Sequence, residues 1–264
     1  MQTETIPKIG FGTWKIGGDS SADPSQDAWS LAAVRSALDL GYTHFDTAEM
    51  YASGRSEIMV GRAIREAGVD RAGLFITSKV LPSNLSYERT LRACEGTLRR
   101  LGMDYLDLYL IHWPVAGMQL EEGFRALNQL VAEGKVRHLG VSNFDLPLMR
   151  RAQALSATPI LTNQVPYSLT DRSYVKNGVV AYCQANDILV TAYSPVEEGR
   201  LRVNPALAQI ATAHDATPYQ IALAWLVQQP RVITIPMSGN PKHQAENLAA
   251  GEIILTQTEM AGLE

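Results

Sequence analysis

Short runs of successive apolar residues alternate along the chain with longer stretches whose apolar positions recur every three or four residues, the period of a helix with one buried face. The short runs are IGFGTW (9–14), THFDT (43–47), LFITSK (74–79), LDLYLIH (106–112), HLGVS (138–142), LTNQV (161–165), LVTAY (189–193) and VITIP (232–236). Several, such as LYLI and VITI, are apolar at consecutive positions, which fits strands buried on both faces of a parallel sheet. Helical patterns fall between them, near 27–40, 56–68, 86–101, 119–134, 145–155 and 172–186, with a double segment at 204–229. Asp27 is placed to cap the first helix, Ser86 starts the third without the acid three residues on that would complete a capping box, and Gly41, Gly68, Gly102 and Gly134 stand just past helix ends. Eight strands alternating with helices predict an α/β fold, a (β/α)8 TIM barrel. The opening MQTETIPKI is expected to form a short hairpin that closes the bottom of the barrel.

Composition narrows this picture without changing it. At 264 residues the chain has the size of one such barrel, roughly 250 residues, and no linker or low-complexity tract divides it, so a single domain over 1–264 is expected. The formal charge is −4, with arginines scattered among acids, which argues against a nucleic-acid partner. No stretch approaches the roughly 18 apolar residues of a membrane span, and the start lacks the basic and apolar segments of a secretory signal. A cytoplasmic monomer with no membrane or nucleic-acid partner is expected. Cys94 and Cys183 lie within helical patterns at no metal or redox spacing and read as buried, reduced thiols. His44, His138 and His214 match no ligand spacing and read as structural, so no metal is expected.

The candidate chemistry lies at strand ends. Asp46, Tyr51, Lys79 and His112 each fall where an apolar run gives way to a loop, in FDTAEMY, FITSKV and LYLIHWP, and barrel enzymes assemble their sites from the C-terminal ends of several strands. An acid, a phenol, an amine and an imidazole brought together make a tuned proton donor. A phenol titrates at roughly 10 when free, and a cation beside it is expected to lower that value. Tyr51 is therefore the natural donor. Trp14 and Trp113 adjoin two of the strand ends and are candidate pocket walls.

These motifs, in order GFGTWK, FDTAEMY, the Ser-Lys closing the third strand, LDLYLIHWP, GVSNF, NQVPYS, TAYSP and IPMSGNPKHQAENL, resemble the aldo-keto reductase family along nearly the whole chain, and within it short bacterial members of the methylglyoxal and 2,5-diketo-gluconate reductase type. The resemblance implies reduction of an aldehyde or ketone by hydride from NADPH or NADH, with Tyr51 as general acid, Lys79 paired with Asp46 to lower the phenol's pKa, and His112 orienting the carbonyl. It further implies that Ser142, Asn143 and Gln164 meet the carboxamide, Tyr193 the nicotinamide ring, Ser194 the pyrophosphate, and Ser238, Asn240, His243 and Asn247 the adenosine half. No GxGxxG fingerprint is present, nor is one needed in this family.

The chain departs from the family at two positions. NADPH-preferring members carry a lysine and an arginine where Met237 and His243 stand here, so the two cations that grip a 2′-phosphate are missing. The residues lean toward NADH, but the family resemblance favours NADPH, which is the expected cofactor. Glu197 and Glu198 add negative charge near the expected pyrophosphate, which Arg200 and Arg202 are placed to offset. Short loops after IHWP and TAYSPV, and an end at LTQTEMAGLE, predict an open site for small carbonyl substrates such as 2-oxoaldehydes, aromatic aldehydes or diketo sugar acids. The rival readings are NAD-linked alcohol oxidation on the same site, a nucleotide-binding redox sensor, and an unrelated barrel enzyme.

Overall fold

Short parallel ladders carry the architecture. A computed structural model describes residues 6–263, and in it eight strands pair in sequence order, β1 (Phe11–Gly12), β2 (His44–Asp46), β3 (Phe75–Val80), β4 (Leu106–Ile111), β5 (Val136–Ser142), β6 (Ile160–Pro166), β7 (Leu189–Tyr193) and β8 (Val232–Thr234). Every pairing between neighbours is parallel. The ring closes through backbone bonds between the first and last strands: Gly10 N donates to Thr234 O at 2.8 Å, Thr234 N to Lys8 O at 2.8 Å and Gly12 N to Pro236 O at 3.1 Å. At Gly12 the walls come so close that a β-carbon would sit 2.5 Å from the carbonyl oxygen of Ile235, so only glycine fits there. This is the expected (β/α)8 barrel.

The sequence pattern overstates the two end strands and understates the helices. Of 9–14 only Phe11–Gly12 is regular strand, with Ile9 bridging to Thr234, because the chain turns away at Thr13 to form the rim. The segment 172–186 is two short helices, Ser173–Lys176 and Val179–Ala185, broken at Gly178 with φ 83°. Asp27 is not a cap. Asp23 caps a preceding 3₁₀ turn, Pro24–Gln26, that runs into the helix Asp27–Asp39, and Asp27 instead pairs its carboxylate with Arg55. Ser86 precedes the helix Tyr87–Leu101 with no side-chain cap bond, as its missing partner acid predicts. All four predicted helix-end glycines take positive φ.

Two apolar layers hold the fold. The larger lies between the strands' outer faces and the helices and includes Trp225, Phe124, Phe144 and Met59, all buried. The smaller fills the barrel floor, where Phe75, Leu108 and Leu110 cluster with Ile6 and Leu161 packed against them. Ile6 thus plugs the bottom; the first five residues of the expected hairpin lie outside the described residues. Higher in the barrel the interior turns polar. Thr162 and Thr191 share a 2.8 Å hydroxyl bond, Thr234 donates to the Ala192 carbonyl at 2.9 Å, and His44 meets the Thr77 hydroxyl at 3.2 Å. His138 stacks on Phe75, and His214 pairs with Glu259 at 2.9 Å. Cys94 and Cys183 are buried among apolar neighbours that push both thiols up to about 12, which leaves them unreactive. No helix among the described residues is long and apolar enough to cross a membrane.

Candidate active site

Because side chains alternate along a strand, Asp46 ending β2 and Lys79 near the end of β3 both point into the barrel. They meet there fully buried: Lys79 Nζ lies 2.5 Å from Asp46 Oδ1, with side chains 0% and 1% exposed. The ammonium spends its other two protons on the carbonyl of Thr47 at 2.9 Å and the Tyr51 hydroxyl at 3.2 Å, which exhausts its three donors. Asp46 Oδ2 accepts a 2.8 Å bond from Gln164 Nε2. Burial works against the Lys79 charge, yet Asp46 and Tyr51 outweigh it and hold the amine above its ordinary value. Lys79 is therefore a permanent cation.

Tyr51 reaches this pair from a turn rather than a strand. Its ring meets Trp14 edge-on at 5.1 Å and the His112 ring at 5.6 Å, and Lys79 Nζ stands 4.8 Å from its centroid. The expected fall in the phenol's pKa is not what the structure shows. Burial raises it, Lys79 lowers it and Asp46 raises it again, and the balance is upward. The cation limits a desolvation cost rather than creating a phenolate, so Tyr51 holds its proton at neutral pH. His112, following β4, is 8% exposed, and burial with the Lys79 charge lowers its pKa to about 2. It is a neutral imidazole whose Nδ1 is buried without a hydrogen-bond partner.

Above these four opens a cavity of about 600 Å³ lined by Trp14, Tyr51, His112, Trp113, Asn143 and Tyr193 among others. A one-residue register shift between Leu139 and Val141 brings Ser142 of β5 opposite Gln164 of β6, the sort of bulge that re-aims side chains at a strand end. Ser142 donates to the Gln164 carbonyl at 2.8 Å, Asn143 Nδ2 to the Ser142 hydroxyl at 3.0 Å, and the Tyr193 hydroxyl to Asn143 Oδ1 at 2.9 Å. Asn143 holds φ 61° and Ser194 φ 50°, conformations that Asn tolerates better than most residues. This wall offers what a nicotinamide requires: amide and hydroxyl groups for the carboxamide, the Gln164 amide oxygen left over after its bond to Asp46, and the ring of Tyr193 as a platform.

The outer residues are arranged differently. Ser238, Asn240, His243 and Asn247 stand outside the cavity walls, whereas Met237 is part of them. Asn240 caps the helix Pro241–Ala249 by accepting from Lys242 N at 2.9 Å, Ser238 Oγ accepts from Asn240 N at 3.1 Å, His243 is exposed and Asn247 is buried. At the rim, Lys15 Nζ lies 3.7 Å from Glu198 Oε2, linking the loop after β1 to the loop after β7, and Arg200 meets the same carboxylate at 3.7 Å. Glu197 turns away to Thr170 and Ser168. Lys15 closes the GFGTWK motif, where the sequence assigns it no role. Its signal is only the residue after GFGTW, with no partner visible until the loops meet.

Residues 8–264 match the model of the aldo/keto reductase family. The chain belongs to that family. It is 39% identical over 98% of its length to methylglyoxal reductase YeaE of Escherichia coli K12, covering 90% of that protein. Among solved structures it superposes on a thermostable aldo-keto reductase, Tm1743, in complex with the inhibitor epalrestat, with TM-score 0.94 and 43% identity over 99% of this chain and 96% of that one. An aldo/keto reductase of Klebsiella pneumoniae in complex with NADP and acetate matches with TM-score 0.87 and 39% identity over 98% and 90% of the two chains. The chain is thus an oxidoreductase.

Proposed function

We propose that this aldo/keto reductase reduces small aldehydes or ketones to alcohols, with Tyr51 giving the proton. The observation that carries this reading is the buried Asp46–Lys79 pair, 2.5 Å apart, with Lys79 also 3.2 Å from the Tyr51 hydroxyl, beneath a cavity whose far wall is Tyr193, Asn143 and Ser142. The relatives add a methylglyoxal reductase and a structure holding NADP. A reduced nicotinamide, held by Ser142, Asn143, Gln164 and Tyr193 with Ser194 toward its pyrophosphate, would supply the hydride.

The protein's own part is to hold the carbonyl and manage one proton. His112, kept neutral, offers an imidazole N–H to the carbonyl oxygen without adding a second cation beside Lys79. Trp14 and Trp113 wall the substrate. As negative charge grows on that oxygen, it becomes far more basic than a phenolate, so Tyr51 transfers its proton although burial has raised its pKa. Lys79 then sits against the phenolate left behind and stabilises it. Asp46 keeps the ammonium in place, and Gln164 holds Asp46 from the other side.

For the cofactor, Met237 in the cavity wall and exposed His243 leave no fixed cation for a 2′-phosphate, so NADH and NADPH should both serve. Open walls favour compact substrates, with 2-oxoaldehydes, aromatic aldehydes and diketo sugar acids the classes to test. Consumption of NADPH and NADH should be followed at saturating cofactor with one member of each class. Turnover of at least one class supports the reading; bound cofactor with no turnover on any of them overturns it.

A further inference from the structure

Tyr51 belongs to an irregular turn, and what holds that turn lies outside the barrel wall. Ala52 (φ 48°, ψ 41°), Ser53 (φ 54°, ψ 39°) and Gly54 (φ 85°) are left-handed in succession. Two of them carry a β-carbon, so the conformation is strained at each and persists only where its surroundings enforce it. The surroundings are specific. Gly54 lies so close to the side chain of Arg100 that an added β-carbon would stand 2.7 Å from Nε. Arg100 in turn donates from Nε to Glu57 Oε2 at 2.5 Å and from Nη2 to the Thr97 hydroxyl at 3.2 Å.

Glu57 is the centre of this arrangement. Its side chain is 0% exposed, on the helix Arg55–Ala67 that begins where the Tyr51 turn ends. Its other oxygen accepts a 2.6 Å bond from the hydroxyl of Ser78. Ser78 is the residue before Lys79 on β3, and by alternation it faces outward where Lys79 faces in. One carboxylate therefore grips the strand that carries the cation and, through Arg100, the turn that carries the acid. A buried carboxylate is costly, and a leucine at this place on the helix's apolar face would serve the core alone.

We propose that Glu57, with Arg100 and Ser78, is a positioning residue for carbonyl reduction, fixing the separation of the Tyr51 hydroxyl from the Lys79 ammonium from behind the barrel wall. The proposal rests on the reductase reading above. Glu57→Gln, with its one amide oxygen kept as the acceptor for Ser78, turns an N–H toward the Arg100 guanidinium, which loosens the turn. Ser78→Ala, safer for folding, removes only the grip on β3.

The test counts cofactor-binding sites and turnover in the same preparations, by fluorescence titration with NADPH and by carbonyl reduction, and measures the deuterium isotope effect on kcat with the cofactor labelled at the transferred position. Turnover per binding site should fall about tenfold in Glu57→Gln and about twofold in Ser78→Ala, with cofactor Kd within twofold of wild type and a larger isotope effect as the chemical step slows. A merely structural role lowers the number of binding sites and leaves turnover per site and the isotope effect as in wild type. That result in either variant overturns the proposal. Wild-type protein that binds cofactor but reduces no carbonyl overturns the reductase reading first, and the positioning role with it.

Discussion

The floor and the rim of the cavity each carry an ion pair, and the two could hardly differ more. At the floor Lys79 and Asp46 are 2.5 Å apart and 0% and 1% exposed, with further bonds to Thr47, Tyr51 and Gln164. At the rim Lys15 and Glu198 are 3.7 Å apart and 47% and 52% exposed, on loops whose φ is positive at both residues. Removing a partner at the floor strands a charge in low dielectric; removing one at the rim returns it to water. Geometry is thus enforced at the floor, where the proposed proton transfer lies, and left free to vary at the rim. The same division separates the hydrogen-bonded wall of Ser142, Asn143 and Tyr193 from the turn at Ser238–His243.

The largest effect should come from breaking the floor. Asp46→Asn leaves Lys79 without its counter-ion, which costs roughly 3–5 kcal/mol and lowers Tm by roughly 6–20 °C for a chain of this size, with loss of reductase activity. Calorimetry and an activity assay on the soluble fraction check both. A Tm within two degrees of wild type would contradict the buried-pair account.

At the outer wall the effect is on choice rather than rate. Two charge-assisted contacts to a 2′-phosphate are worth roughly 1.5–3 kcal/mol each, and without them the wild-type preference between NADPH and NADH should be about tenfold or less. Met237→Lys with His243→Arg should move kcat/KM toward NADPH by at least roughly a hundredfold, chiefly through KM because the phosphate takes no part in the reaction. A strong NADPH preference in wild type, unmoved by the double substitution, would place the phosphate on other residues.

Acid should loosen the interior. Burial lowers the pKa of His44 to about 4 and that of His112 to about 2, from an ordinary 6.5. Both folded values are depressed, so the unfolded chain takes up protons on these imidazoles first. Their neutral form is fully accommodated above about pH 6.5, and stability is lost as pH falls from there toward 4 and, for His112, further still. Tm measured between pH 7.5 and 5.5 should fall on acidification, and His112→Asn should flatten the slope. An unchanged slope would show that His112 is protonated in the folded state. The smallest effect belongs to the rim: Lys15→Met should change stability by less than about 1 kcal/mol.

How much of this the sequence disclosed follows the same line between floor and rim. Strands such as LYLI and VITI and the residues at their ends were legible because burial and period act locally, which is why Asp46, Lys79 and His112 come together where their positions predict. The rest depends on what meets across space. The Lys15–Glu198 pair joins loops 183 positions apart in sequence, the difference between residues 198 and 15. The resemblance sets Asn240 beside the adenosine half, and only the fold shows that its side chain also caps a helix. The direction of the Tyr51 shift could not be read from a neighbouring lysine alone, since it depends on how deeply the phenol is buried. Glu57 did leave a trace, an acid on the buried face of Arg55–Ala67 beside Met59, Val60 and Ile64, though nothing local says that it holds Ser78 and Arg100.

The central claim is that Tyr51 supplies the proton, and Tyr51→Phe tests it most directly because the ring that packs on Trp14 and His112 remains and only the hydroxyl is lost. Turnover of a reducible aldehyde and cofactor affinity should be measured on the same sample. The account predicts a fall in kcat of at least about 10²-fold, within the usual contribution of general acid catalysis, with cofactor Kd unchanged within about threefold. Turnover near wild type in that variant would contradict it.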